Sequence, residues 1–256
     1  MEDLVHFDVG KAYIGLLSDG YNADFSIDVR SMSLHGFNTF NAEDQWNGLS
    51  VSYMCKFPID LVLSPTVLER YRNIFRLLFP LKSIQYQLNL AWNTVTEMSR
   101  SGYDRAKVLR LSGLRSKMSF VFDGLLSYFY LDVLEVRWAK LKESIGSLKE
   151  FEELRKHVAA YLESIHSHIF LNNNTIVSLV FAMVNEAKRF VAGLQTADLD
   201  EAKMHDDFDD LVHRFTVKVD DLNSKSSSQY LSQLIVRLNF NRYFEIKAEL
   251  GKIDVY

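Results

Sequence analysis

Residues 81–256 contain no proline; the three in the chain are Pro58, Pro65 and Pro80. Long helices leave such a stretch behind, because an interior proline removes a backbone hydrogen bond and clashes with the preceding turn. Glycine is sparse too, with 11 in 256 residues. Together the two types make up about 5% of the chain, against roughly 12% in average usage. A sandwich or barrel needs turn residues at roughly 8–12-residue intervals, and low-complexity chains need far more of both types. The expected class is mainly α: an antiparallel bundle of long helices with a small N-terminal β element.

Charge narrows the partners. Lys and Arg number 29 against 33 Asp and Glu, a formal net charge of −4. A nucleic-acid binder carries a basic surplus, which is missing, so no nucleic-acid partner is expected. No apolar run reaches the ~18 residues of a membrane helix, so no membrane insertion is expected. The single Cys55 excludes an internal disulfide and a zinc site built on several thiolates.

Residues 1–60 read as an irregular, β-containing segment packed on a helical bundle over 61–256. A short helix is expected between Leu4 and Leu17. Phe25, Ile27 and Val29 alternate with polar residues, and so do Leu49, Val51, Tyr53, Cys55 and Phe57, which is strand periodicity. Ser64-Pro65 is a helix start, Ser suiting the cap and Pro the first helical position. Leu68, Tyr71, Phe75, Leu78, Lys82, Tyr86 and Trp92 then give a broad apolar face, and Pro80 is expected to break or kink this helix. A very long helix follows from about Asp104 to Lys142, its middle apolar on most sides. Ser147 and Glu150 form a capping box ahead of Phe151, Leu154, Val158, Leu162, Ile165 and Ile169. A further helix begins after Asn172-Asn-Asn and carries Ile176, Val180, Met183, Ala187, Phe190 and Leu194. The seven carboxylates of residues 198–210 read as a surface loop and an acidic first turn, which the helix dipole favours. Phe208 to Leu222 and Tyr230 to Leu238 complete the helices.

Chemistry-bearing patterns are few. His166 and His168 lie two apart, about 200° around a helix, and cannot share an ion. His205 and His213 lie about two turns apart. Asp206 to Asp210 lacks the glycine and closing glutamate of a calcium loop, leaving a solvated helix start as the expectation. Neither glycine-rich phosphate loops nor nucleophile elbows occur. No catalytic, cofactor-binding or metal residues are assigned, and the chain is expected neither to bind nor to hydrolyse nucleotide. A helical body of this kind fits a macromolecular binder.

Several collinear segments are more specific. They are Leu49-Ser-Val-Ser-Tyr53, Phe57-Pro-Ile-Asp-Leu-Val-Leu-Ser-Pro65, Leu68-Glu-Arg-Tyr-Arg-Asn-Ile-Phe75, Leu81-Lys82 and Trp92. Phe7-Asp-Val-Gly-Lys11 precedes them; Leu114-Arg-Ser-Lys-Met118, Tyr128-Phe-Tyr-Leu-Asp-Val-Leu-Glu135 and Arg237-Leu-Asn-Phe-Asn-Arg-Tyr243-Phe244 follow. The series resembles the C-terminal half of the gamma-tubulin complex components, in a compact form like component four. Departures are Phe57 for the usual Trp, Pro80 within a helix the family keeps continuous, and Asn239 and Phe244 for Asp and Tyr. Nothing matches the family's N-terminal half, so the chain resembles an excised C-terminal half.

The resemblance implies one gamma-tubulin-binding domain. It is a non-enzymatic adaptor in microtubule-nucleating complexes, with a cytoplasmic, cytoskeletal location at the microtubule organizing centre. Gamma-tubulin is the implied partner, together with other complex components contacted mainly through the N-terminal half. Any nucleotide belongs to gamma-tubulin, so no cofactor is expected. The alternative is an unrelated helical interaction module, such as a vesicle-tethering subunit. Within the matching segments, Tyr71, Phe75, Leu78, Trp92 and Phe129 are expected mainly in the core. The contact candidates are polar residues that a core does not want: Arg72 and Arg76 on one exposed stripe beginning at Glu69, Arg115 and Lys117, and Asn239, Asn241, Arg242 and Tyr243. Arg and Tyr combine apolar area with polar tips, which suits them to interfaces.

Overall fold

The computed structural model describes residues 24–29, 33–34, 37–38, 49–55, 57, 59–146, 150–196, 199–226 and 229–239. The expected helix at Leu4–Leu17 and the segment Phe7–Lys11 lie outside them, as do residues 147–149 of the capping box. Strands β1 (Asp24–Val29) and β4 (Leu49–Met54) pair antiparallel, Phe25 opposite Tyr53 and Ile27 opposite Val51. Between them β2 (Ser33–Leu34) pairs with β3 (Phe37–Asn38). The remainder is helical: α1 (Pro65–Arg100), α2 (Arg105–Ser127), a π-helical stretch (Tyr128–Glu135), α3 (Val136–Ile145), α4 (Phe151–His168), α5 (Asn174–Thr196), α6 (Glu201–Ser226) and α7 (Gln229–Asn239).

Helix starts follow the local chemistry of the sequence. Ser64 Oγ accepts from Val67 N at 3.4 Å, and Pro65 occupies the first turn, where no amide is needed. Asp104 caps α2, accepting from Ala106 N and Lys107 N at 3.2 and 3.3 Å. Asn173 caps α5 through Ile176 N, and Asp200 caps α6 through Lys203 N, each at 3.2 Å. The segment after Asp200 is therefore helix and not loop; Asp206 to Asp210 lie in its second and third turns.

Pro80 does not break α1, which runs unbroken from residue 65 to 100. Helix-breaking costs roughly 3 kcal/mol, and burial on either side offsets it. Leu77, Leu81, Ile84, Leu88, Ala91, Val95 and Met98 are all buried. Their alternating spacing of four and three makes one continuous stripe, and each large side chain is worth about 2 kcal/mol or more. The apolar face expected from sequence is corrected accordingly. Tyr86 and Trp92 fall off that stripe, and both are about half exposed.

The long central helix spans residues 105–145, but not as uniform α-helix. Over Tyr128–Glu135 the turns widen to a π-helix, with Tyr128, Phe129 and Val133 buried.

Two compact units divide the chain. The first comprises residues 1–76 and 134–168. Within it α3 packs on α4, with the Trp138 and Tyr161 rings 6.2 Å apart. Burial, then Tyr71, push the Tyr161 hydroxyl far above its ordinary value, so it stays neutral. His166 is buried, and its Nε2 meets the Arg70 carbonyl at 2.9 Å, while Arg70 pairs with Glu163 at 3.1 Å.

The second unit comprises residues 77–133 and 169–256. There α5 packs on α6, α6 on α7, and α7 on α2. Its centre is aromatic. Phe122 faces Phe208 at 6.3 Å; Phe170 meets Tyr128, Phe129 and Phe215 with centroids 6.1, 6.1 and 6.2 Å apart. These rings are buried, and such pairs add about 0.5–1.5 kcal/mol beyond their area.

Candidate partner-binding surface

Arg72 and Arg76 converge on one carboxylate. Glu69 accepts from Arg72 Nη1 at 2.6 Å and from Arg76 Nη1 at 3.0 Å, and Arg76 also reaches Asn73 Oδ1 at 2.9 Å. Helix spacing of three and seven brings the three onto one face. The group keeps a surplus of one positive charge. It is less open than the expected exposed stripe: the side chains of Arg72 and Arg76 are 32% and 18% exposed. Arg76 Nε is buried and has no hydrogen-bond partner among the described residues.

Arg115 lies in the second unit, on α2. Its guanidinium sits 4.9 Å above the Trp92 ring on α1, with Nη1 3.4 Å from the Leu88 carbonyl. A cation over an indole face is held in place by the charge distribution of the ring, and Trp92 remains about half exposed. Tyr86 and Leu90, about half exposed, lie on α1 nearby in sequence, and Gln85 donates to Asp123 of α2. Leu109 and Phe120 are exposed on α2. Sequence reasoning assigned Trp92 to the core and so missed this platform. The signal was available, since the four-three stripe runs through Leu88, Ala91 and Val95 and passes Trp92 by.

Lys117 points elsewhere. Its ammonium donates to both oxygens of Asp209 on α6, at 2.9 and 3.0 Å, and to His205 Nε2 at 2.8 Å. Lysine only donates, so His205 accepts at Nε2 and carries its proton on Nδ1, 3.4 Å from Asp209. Asp209 is buried, which corrects the expected solvated helix start; Asp206 and Asp210 on the same helix are exposed. Asn239 closes α7. Asn241, Arg242 and Tyr243 lie outside the described residues.

His166 and His168 are each engaged separately. His168 Nδ1 donates to the Ser164 carbonyl at 2.6 Å, and Nε2 accepts from Arg137 at 2.9 Å. Burial, with Arg137 adding to it, lowers the His168 pKa below the usual imidazole range against the opposing effect of the Ser164 hydrogen bond. Among the described residues no three His, Cys, Asp or Glu side chains are grouped to hold a metal ion. No described helix is long and apolar enough to cross a membrane.

Each of these two groups, Arg72–Arg76 in the first unit and Arg115–Trp92 in the second, offers guanidinium or aromatic surface on a long helix. A family model for the C-terminal part of gamma tubulin complex components matches residues 15–244. The chain belongs to the gamma tubulin complex component family. Members of this family are structural, adaptor components and not enzymes. The gamma-tubulin complex component 4 homolog of Medicago truncatula is 23% identical over 246 residues, covering 86% of this chain and 33% of that protein. Human gamma-tubulin complex component 4 is 25% identical over 211 residues, covering 78% and 31%. The spindle pole body component alp4 of Schizosaccharomyces pombe is 21% identical over 242 residues, covering 86% and 30%. The chain thus spans about a third of the length of the curated relatives it matches. Component 4 proteins stand among these relatives, as the compact pattern of the sequence implied.

Proposed function

We propose that this chain is a gamma-tubulin-binding, non-enzymatic adaptor of a microtubule-nucleating complex, acting at microtubule minus ends. The observation that carries the reading is the family match over residues 15–244, together with relatives named for gamma-tubulin complexes and the spindle pole body. Residues 1–60 and 61–256 act together as one gamma-tubulin-binding domain. The location is cytoplasmic, in the cytoskeleton at the microtubule organizing centre, and other complex components are further partners.

Arg72, Arg76 and Arg115 are the direct contacts, because none of the three is fully buried. Trp92 joins them, as half-exposed tryptophan beside arginine is a favoured hot-spot composition. Lys117, engaged with Asp209, contributes by fixing α2 against α6. Asn239, Asn241, Arg242 and Tyr243 complete the candidate set near the end of the family match.

The test is capture of purified recombinant gamma-tubulin by the purified chain, read by light scattering and by pull-down across a salt series. Binding at micromolar concentration is expected, weakened but not abolished by moderate salt, since apolar anchors and charged rim contacts share the interface. Absence of a complex at low salt, with the chain shown to be folded, would sink the reading.

A further inference from the structure

Five glycines lie among the described residues, and four of them answer to something within the chain. Gly102 takes φ +81° between α1 and α2. Gly146 ends α3, its N–H bonding to the Lys142 carbonyl at 3.4 Å. At Gly124 and Gly193 a Cβ would come within 2.9 Å of Leu238 and 2.5 Å of Leu199. Gly113 differs. It lies in the middle of α2, and a Cβ there would meet nothing within 4 Å. Glycine is the poorest helix former after proline. What it offers in exchange is close approach of another backbone, and among the described residues nothing takes up that offer at Gly113.

The surroundings of Gly113 lie within the second unit and are apolar and open. Leu109, Gly113, Ser116 and Phe120 are all exposed, and spacings of four, three and four put them on one face of α2. Leu109 and Phe120 stand roughly 16 Å apart along the axis at 1.5 Å per residue, with the two small residues between them. That saddle seats one helix, about 10 Å across. A positive charge borders it. Arg115 Nη2 meets Ser116 Oγ at 3.3 Å, Nη1 meets the Leu88 carbonyl, the Trp92 ring lies beneath, and Nε has no partner among the described residues. All of these partners are neutral. By contrast Lys107 and Arg110 of the same helix pair with Glu201, and Lys117 pairs with Asp209. Arg115 therefore lacks the carboxylate that its neighbours on α2 have. We infer that the Leu109–Phe120 face of α2 is a helix-docking surface. A helix of the partner crosses α2 at Gly113, where the missing side chain lets the axes approach, and sets a carboxylate against the Arg115 guanidinium. The inference rests on the reading of gamma-tubulin as that partner and adds the kind of element it presents.

Gly113→Gln in the full chain tests this, because glutamine is a good helix former and its Cβ meets nothing here. The variant should melt at or above the parent's temperature, yet bind purified gamma-tubulin at least tenfold more weakly in biolayer interferometry. Gly113→Ala should fall between the two. Arg115→Gln should weaken binding and flatten its dependence on salt, since the ion pair is lost. If Gly113→Gln melts below the parent, Gly113→Ala decides by the same comparison. A parent that binds gamma-tubulin no better than Gly113→Gln does would overturn the docking surface and leave the gamma-tubulin reading standing. A folded parent that captures no gamma-tubulin would overturn both. Sedimentation velocity covers the remaining occupant: loss of self-association in Gly113→Gln, with gamma-tubulin binding unchanged, would give the face to a second copy of this chain and overturn the inference.

Discussion

The Lys117 ammonium on α2 donates to both carboxylate oxygens of Asp209 on α6, across 92 residues of chain, with side-chain exposures of only 16% and 6%. Two charges so far out of water hold each other in place, and the cost of removing one is the cost of stranding the other. Lys117→Ala should therefore destabilise the protein by about 3 kcal/mol, read from urea unfolding followed by circular dichroism. Lys117→Met combined with Asp209→Leu should recover most of that loss, with half-exposed His205 turning to water. Equal losses in the single and double variants would show that packing, and not charge pairing, governs the site.

A second expectation concerns pH. His168 is held neutral, with its pKa below the usual range, by burial and by Arg137. The unfolded chain, with an ordinary imidazole pKa of about 6.5, binds more protons near that value than the folded chain does. Stability from this group is thus present above about pH 6.5 and is lost as pH falls below it. Melting temperatures measured from about pH 7.5 to 5.5 should drop more in the parent than in His168→Gln, which has nothing to protonate. Parallel curves would assign the acid sensitivity to other groups.

Gly193 in α5 gives a steric test. A Cβ built there would lie 2.5 Å from Leu199 Cδ2 and 2.6 Å from its Cγ, just ahead of α6. Alanine favours helix by about 1 kcal/mol over glycine, but displacing Leu199 costs roughly 1–3 kcal/mol. Gly193→Ala should lower stability despite its better helix propensity, and adding Leu199→Ala should relieve the clash. A rise in melting temperature for the single variant would mean that Leu199 moves aside freely.

Trp92 separates binding from folding. The ring is half exposed, so Trp92→Ala should cost less stability than the ~3–5 kcal/mol of a buried tryptophan. If the Trp92–Arg115 platform contacts gamma-tubulin, the same variant should weaken binding by about 2 kcal/mol, roughly thirtyfold. Arg72→Gln with Arg76→Gln removes the positive surplus around Glu69 and should weaken binding mainly at low salt. Unchanged affinity in these variants, with intact melting curves, would place the interface elsewhere.

Much of the helical framework is legible because its rules are local. Ser64, Asp104 and Asn173 each satisfy amides two or three residues ahead, so these starts can be read from neighbouring letters; the cap at Asp200 works the same way but is masked by the run of carboxylates, which reads as loop. The buried stripe Leu77, Leu81, Ile84, Leu88, Ala91, Val95 and Met98 obeys helical spacing too, but the face expected from sequence runs through Tyr86 and Trp92, because α1 is apolar on more than one side and spacing alone does not choose between them. Family-specific strings extended this to the C-terminal part of the gamma tubulin complex components. The candidate contacts are less legible: spacing puts Arg72 and Arg76 on one helix face, but their shared hold on Glu69 and the partial covering of Arg76 are matters of side-chain geometry.

The sequence by itself determined a helical body, most of its helix starts and its family, because propensity, capping and periodicity act over a few residues. Tertiary packing decided that Pro80 stays helical, since buried leucines on both sides offset the missing hydrogen bond. It also decided that Asp209 leaves water while Asp206 and Asp210 do not: Lys117 of another helix closes over the Asp209 carboxylate. The widening at Tyr128–Glu135 belongs with these. Two adjacent large rings, Tyr128 and Phe129, are both buried against Phe170, far away in sequence, and no count of spacing along one helix contains that requirement.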